Sequence, residues 1–197
     1  MNVAIIKYNA GNVFSVLCAL KRIGIDAIVT DDPATLRAAD KVIFPGVGEA
    51  SSAMSYLREH HLDSLIKSLT QPVLGICIGM QLLCSHSEEG DTDCLGIFDT
   101  PVRRFCNDSA QGFKIPHMGW NTIDATPGNF IDAKCAGEYL YFVHSFYAPV
   151  CSHTVATCNY IAPFSAALQK DNFFATQFHP EKSGSAGERI LKNFITL

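Results

Sequence analysis

The chain is poor in the features that mark a membrane protein, a nucleic-acid binder or a disulfide-stapled domain. No apolar stretch in its 197 residues reaches the roughly 18 consecutive positions that a membrane span requires. No block of lysine or arginine stands out, and a net charge of -4 gives no electrostatic ground to expect nucleic acid or an anionic membrane as partner. The N-terminal run Val3-Ala4-Ile5-Ile6 is too short for the core of a signal peptide and follows no basic leader, so a cytosolic address is expected. Cysteine is not scarce, but its arrangement is uninformative. Cys18, Cys77, Cys84, Cys94, Cys106, Cys135, Cys151 and Cys158 form no CxxC pair, and in a reducing compartment most read as small buried hydrophobes. Cys/His groups at zinc-ligand spacing are also missing, so neither a metal nor another cofactor is expected.

What is present is enough apolar material for one sizeable core: 48% of the residues are hydrophobic and 17% charged. The first half alternates short apolar runs with helical periodicity. Strands are expected at 3–6, 25–29, 41–44 and 73–76, and helices at 12–23, in two stretches across 49–69, and opening at 80–84. Strands that are apolar on both faces and alternate with helices predict a parallel sheet covered on both sides. The second half leans toward β-structure, with strands expected at 102–106, 139–144, 154–160, 164–169 and 173–178 and a closing helix at 186–195. The reading is an α/β fold with a central, mostly parallel mixed sheet and antiparallel additions in the second half. Without a repeat, linker or low-complexity tract, residues 1–197 read as a single domain.

Gly75-Ile76-Cys77-Ile78-Gly79 places a thiol between two glycines at a strand-to-helix junction, the pattern of a G-x-S-x-G nucleophile elbow with sulfur in place of oxygen. The glycines admit the close backbone approach that such a turn needs. Alone, the segment reads equally well as a buried cysteine in a β-α turn. About a hundred residues later comes His179-Pro180-Glu181, which alone could be a surface turn. Pro180 disfavours helical geometry at His179, so an extended segment is expected to project His179 and Glu181 to one side, fixed by the preceding strand at a sheet edge. A carboxylate on one imidazole nitrogen leaves the other free to take a thiol proton. Pro45-Gly46-Val47-Gly48, after the strand at 41–44, can turn its N–H groups toward a developing oxyanion, joined by the N–H of Ile78. The expected oxyanion group is therefore Gly46, Val47 and Ile78.

Together with Tyr8-Asn9-Ala10-Gly11-Asn12, Pro116-His117-Met118-Gly119-Trp120-Asn121, Tyr141-Phe142-Val143-His144-Ser145 and Gln177-Phe178-His179-Pro180-Glu181-Lys182-Ser183, these segments resemble the class I triad glutamine amidotransferases over nearly the whole chain. More narrowly they are similar to the glutaminases of the histidine pathway. A departure lies at Lys7-Tyr8-Asn9-Ala10, where many members carry an acidic residue and a glycine. The resemblance implies a flavodoxin-like amidotransferase fold and a Cys77, His179, Glu181 triad that hydrolyses L-glutamine through a γ-glutamyl thioester. It implies that Gly48, Gln81, Glu89, His144 and Ser145 bind substrate, although Glu89, His144 and Ser145 read equally as polar surface or core residues. It implies an ammonia-consuming partner, a separate cyclase subunit of (β/α)8-barrel type in a heterodimer, contacted through Asn12, Trp120 and Lys182. As the sole tryptophan, Trp120 reads equally as a core residue. A flipping peptide in Pro45-Gly46-Val47-Gly48 would assemble the oxyanion site only when the partner is occupied. Two alternatives stay open: the same chemistry serving a surface-sugar amidotransferase, and a noncatalytic, redox-sensing α/β domain.

Overall fold

The computed structural model describes residues 1–9, 12–106, 112–125 and 130–197. Ala10 and Gly11, quoted above, lie outside the described residues. The first strands, β1 (Val3–Ile6), β2 (Ala27–Thr30), β3 (Lys41–Phe44) and β4 (Val73–Ile76), pair in parallel in the order β2-β1-β3-β4. The sheet continues through β14 (Phe173–Thr176), parallel to β4, and then through antiparallel β13 (Ala162–Lys170), β12 (Thr154–Tyr160) and β9 (Asp124–Ala125). This is the mixed sheet that the apolar patterning predicts.

Side-chain alternation explains how the sheet is covered. Val3 and Ile5 pack on one face with Ile43, Leu74 and Ile76, beneath α1 (Val13–Arg22) and α6 (Gly184–Ile195). Ala4, Ile6, Val42, Phe44 and Val73 pack on the other face, beneath α2 (Pro33–Ala38), α3 (Ala50–Glu59), α4 (Leu62–Lys67) and α5 (Ile78–Leu83). A strand with both faces buried contributes about 1.5–3 kcal/mol for each large apolar side chain. That accounts for the near-continuous Val/Ile/Phe content of β1, β3 and β4. The short helix α2 is absent from the sequence reading; it is started by Pro33 and by Asp32, whose carboxylate accepts from the Thr35 amide at 2.7 Å.

Two smaller sheets depart from the sequence reading. β8 (His117–Thr122) and β10 (Tyr139–His144) form an antiparallel ribbon, and β11 (Phe146–Tyr147), β7 (Pro101–Arg104), β5 (His86–Ser87) and β6 (Thr92–Asp93) form a four-stranded sheet. β8 was not expected as a strand, since His117-Met118-Gly119-Trp120-Asn121-Thr122 is polar and glycine-interrupted. Its partner strand and the core under one face hold it extended. Among the described residues no helix is long and apolar enough to cross a membrane.

Candidate active site

β4 runs into Cys77, and α5 starts at the next residue. Cys77 has φ 55° and ψ -109°, a conformation that costs a non-glycine residue about 1–3 kcal/mol and persists only where the surroundings enforce it. Two features enforce it. The Cys77 amide donates to the Thr176 carbonyl of β14 at 2.8 Å, and the flanking glycines let α5 press against the sheet. A Cβ on Gly79 would collide with the Phe44 carbonyl oxygen, and one on Gly75 would lie 2.9 Å from the Gly79 backbone. The GxCxG spacing is thus a packing requirement as well as a turn signal.

β14 also delivers the histidine. It lies between β4 and β13, inside the large sheet and not at its edge, so the expectation of a sheet-edge position is corrected. The strand ends at Thr176, and His179 is extended, with its amide donating to the Tyr141 carbonyl of β10 at 2.9 Å. Pro180–Lys182 then form a 3-10 turn, so Glu181 reaches His179 by a tight turn rather than by strand alternation. The physical reason is that Pro180 suits the first position of such a turn, while the Ser183 hydroxyl donates to the His179 carbonyl at 2.6 Å and closes it.

His179 Nδ1 lies 2.7 Å from Glu181 Oε1, and both side chains are buried. A carboxylate accepts, so Nδ1 carries the proton, and Nε2 has no hydrogen-bond partner among the described residues, beside the cavity that Cys77 also lines. Burial by itself would lower the His179 pKa, but the nearby Cys77 sulfur, followed by Glu181, more than offsets it. The ring is therefore held above the ordinary imidazole value. Glu181 Oε1 also accepts from Asn12 Nδ2 at 2.6 Å. The side chain expected at a partner contact is thus tied to the carboxylate, a contact across 169 residues that local patterning could not reveal.

Cys77 and His179 line a cavity of about 330 Å³ with Val47, Gly48, Ile78, Gln81, Glu89, His144 and Ser145, which brings most of the expected residues together. Gly46 sits behind the lining, packed against the Ile78 side chain and the Tyr8 hydroxyl. The Tyr8 hydroxyl donates to the Pro45 carbonyl at 2.6 Å, and burial followed by the nearby Cys77 pushes its pKa up, so it remains a donor. Gln81 spends its amide nitrogen on the Phe146 carbonyl at 2.9 Å and on Gln177 Oε1 at 3.0 Å, leaving only its own carbonyl for a ligand. Glu89 accepts from the Ala50 amide at the start of α3, and burial raises its pKa. His144 lines the cavity, yet both its ring nitrogens are engaged inside the protein.

Pro116, Val143 and Phe146 also line the cavity but were not named as site residues, nor were Tyr8 and Gln177, which touch the site from behind; the quoted segments contain all of these except Phe146. Asn12, Trp120 and Lys182 do not line it. Trp120 is 55% exposed, which excludes the core-packing alternative. It lies edge-on to Tyr141 at 5.9 Å, while Lys182 Nζ lies 5.8 Å from the center of the same ring. Among the described residues no group of three or more His, Cys, Asp or Glu could hold a metal ion.

A strained cysteine at a strand-to-helix turn, a buried His-Glu pair and a small pocket lined by both apolar and polar side chains agree with family comparison. The model for "Glutamine amidotransferase class-I" matches residues 6–197, and the chain belongs to that family. A solved glutamine amidotransferase structure, 18% identical, superimposes with a TM-score of 0.75 over 98% of this chain and 97% of its own, which supports the fold. Two curated relatives cover both chains completely: one from Bacteroides fragilis at 61% identity and one from Bacteroides thetaiotaomicron at 59%, each named imidazole glycerol phosphate synthase subunit HisH. Within the class, the chain belongs to this HisH family.

Proposed function

We propose that this chain, a single domain, is the glutaminase of an imidazole glycerol phosphate synthase in histidine biosynthesis. Glutamine enters the cavity with its side-chain amide over Cys77. The sulfur attacks the amide carbon, and the resulting oxyanion is held by N–H groups of the Gly46–Val47 segment and Ile78. His179 gives its proton to the amide nitrogen, ammonia leaves, and a γ-glutamyl thioester remains. Water, relieved of a proton by His179, then attacks the thioester, and glutamate and the thiolate are released. Glu181 orients the ring and balances its charge through both steps.

The observation that carries this reading is the buried alignment of Glu181, His179 and Cys77 in a cavity of about 330 Å³. Ammonia serves a cyclase subunit, and we place that partner, a (β/α)8 barrel in a cytosolic heterodimer, on the ribbon face that carries Met118, Trp120 and Tyr139. These three side chains are exposed there, with Tyr141 and Lys182 alongside. Ammonia converts the cyclase substrate, an aminoimidazole-linked ribulotide phosphate, into imidazole glycerol phosphate and AICAR.

Cys77→Ala in the assembled synthase tests the reading. Glutamine-dependent product formation should disappear while formation from ammonium salts continues; retained glutamine hydrolysis would overturn the triad. Comparing glutaminase rates with and without the cyclase and its ligand tests whether the Pro45-to-Gly48 segment is gated. Equal rates would rule gating out.

A further inference from the structure

The mechanism leaves unused a pair of buried histidines beside the cavity. His117 and His144 stand directly opposite each other on β8 and β10, 3% and 6% exposed. His117 is sandwiched between Tyr160, at 4.0 Å and 17°, and Phe142, at 4.9 Å and 22°, while His144 packs against Phe105, Phe142 and Phe164. Their hydrogen bonds have one consistent direction. Phe146 offers a carbonyl to His144 Nδ1 at 2.8 Å, so that nitrogen donates and His144 Nε2 must accept. It accepts from His117 Nδ1 at 3.0 Å, and His117 Nε2 in turn accepts from the Asn121 amide at 3.3 Å. Asn121 also donates to the Asn159 carbonyl at 3.1 Å. Burial lowers His117 to about 4 and His144 to about 3, which keeps both rings neutral and the direction intact.

At its other end the chain of bonds reaches the nucleophile. The Phe146 carbonyl that receives His144 also receives Gln81 Nε2; Gln81 donates to Gln177 Oε1, and Gln177 Nε2 lies 3.9 Å from the Cys77 sulfur. Val143, His144, Ser145, Phe146 and Gln81 all line the cavity. We propose that His117 is a positioning residue for the glutamine pocket. By donating to His144 it fixes that ring's tautomer, and His144 with Gln81 then clamps the Phe146 carbonyl and the wall from Val143 to Phe146. The inference rests on the glutaminase reading. Because the wall meets bound glutamine throughout the reaction, loosening it weakens ground-state and transition-state binding alike.

The test compares His117→Asn, whose amide nitrogen takes the place of Nδ1, with His117→Leu, which has no donor. His117→Gln, whose amide lies one bond farther out, is a polar variant in case the leucine protein does not fold. In the assembled synthase, His117→Leu and His117→Gln should raise KM for glutamine about tenfold with kcat within about twofold, and His117→Asn should stay within about twofold of wild type in both. Equal KM values for the asparagine and glutamine variants, or a loss confined to kcat, would overturn the proposal. Nitrogen NMR of the labelled wild-type protein provides a check independent of activity: both rings should be neutral and protonated at Nδ1, and Nε2 protonation of either would refute the assignment. Failure of the glutaminase reading would show separately, as hydrolysis surviving Cys77→Ala.

Discussion

Two buried imidazole arrangements lie beside the same cavity, and their surroundings drive them in opposite directions. His179 meets a carboxylate and a sulfur and is held above the ordinary imidazole value; His117 and His144 meet each other, a carbonyl, an amide and aromatic rings, and both are pushed down. Burial lowers all three. Only fixed anionic partners reverse it, so the sign of a buried histidine's shift reports what its ring nitrogens face. The first arrangement can carry a proton through a reaction, whereas the second can only hold a direction.

The largest separation between the two should come from removing each ring. His179→Leu should lower kcat in the assembled synthase by about five orders of magnitude, because nothing else can protonate the leaving nitrogen. His144→Leu should act mainly through KM. A comparable collapse of kcat in both would erase the distinction. Glu181→Gln keeps the shape but removes the anion, and should lower kcat by about three orders of magnitude and bring the His179 pKa down, readable by NMR. An unchanged His179 titration would show that Cys77 alone sustains it.

A smaller effect is expected at Asn12, which donates to the same Glu181 oxygen as His179. Asn12→Ala should lower kcat about tenfold with KM unchanged. If instead only the affinity for the cyclase falls, the side chain serves the interface.

The smallest effect concerns stability. The folded His117 and His144 resist protonation until about 4 and 3, whereas in the unfolded chain they titrate near the ordinary value of 6.5. Their contribution is therefore complete above about pH 6.5 and is lost as the pH falls through the folded values. His179 has the opposite sign: its contribution is complete below about pH 6.5 and is lost as the pH rises through its raised value. Denaturant titrations between about pH 4 and 6.5 should show His117→Asn weakening the acid dependence by about one proton, and an unchanged slope would mean that the ring is not held neutral.

Much of this site was legible in the chain. Gly75 and Gly79 around Cys77 mark a junction where a Cβ would meet the Gly79 backbone or the Phe44 carbonyl, and local spacing records such a constraint. β1, β3 and β4 were readable because both their faces are buried, which leaves an unbroken apolar run. β8 was not, because its exposed face carries Met118 and Trp120, its inner face His117 and Asn121, and Gly119 interrupts it. The turn at Pro180–Lys182 was misread as extended because the proline constraint on His179 is local, while the choice of turn depends on Ser183 and β10.

By itself the sequence determined the parallel half of the sheet, the elbow at Cys77, the proposed trio of Cys77, His179 and Glu181, and the amidotransferase class. These rest on burial periodicity and on short motifs whose geometry is enforced within a few residues. Only the tertiary structure decided that Asn12 belongs to Glu181, that Trp120 is exposed, and that His117 is aligned on His144. Each of these is a contact between elements far apart in the chain, and its direction and strength depend on which polar atoms the packed sheets leave facing one another.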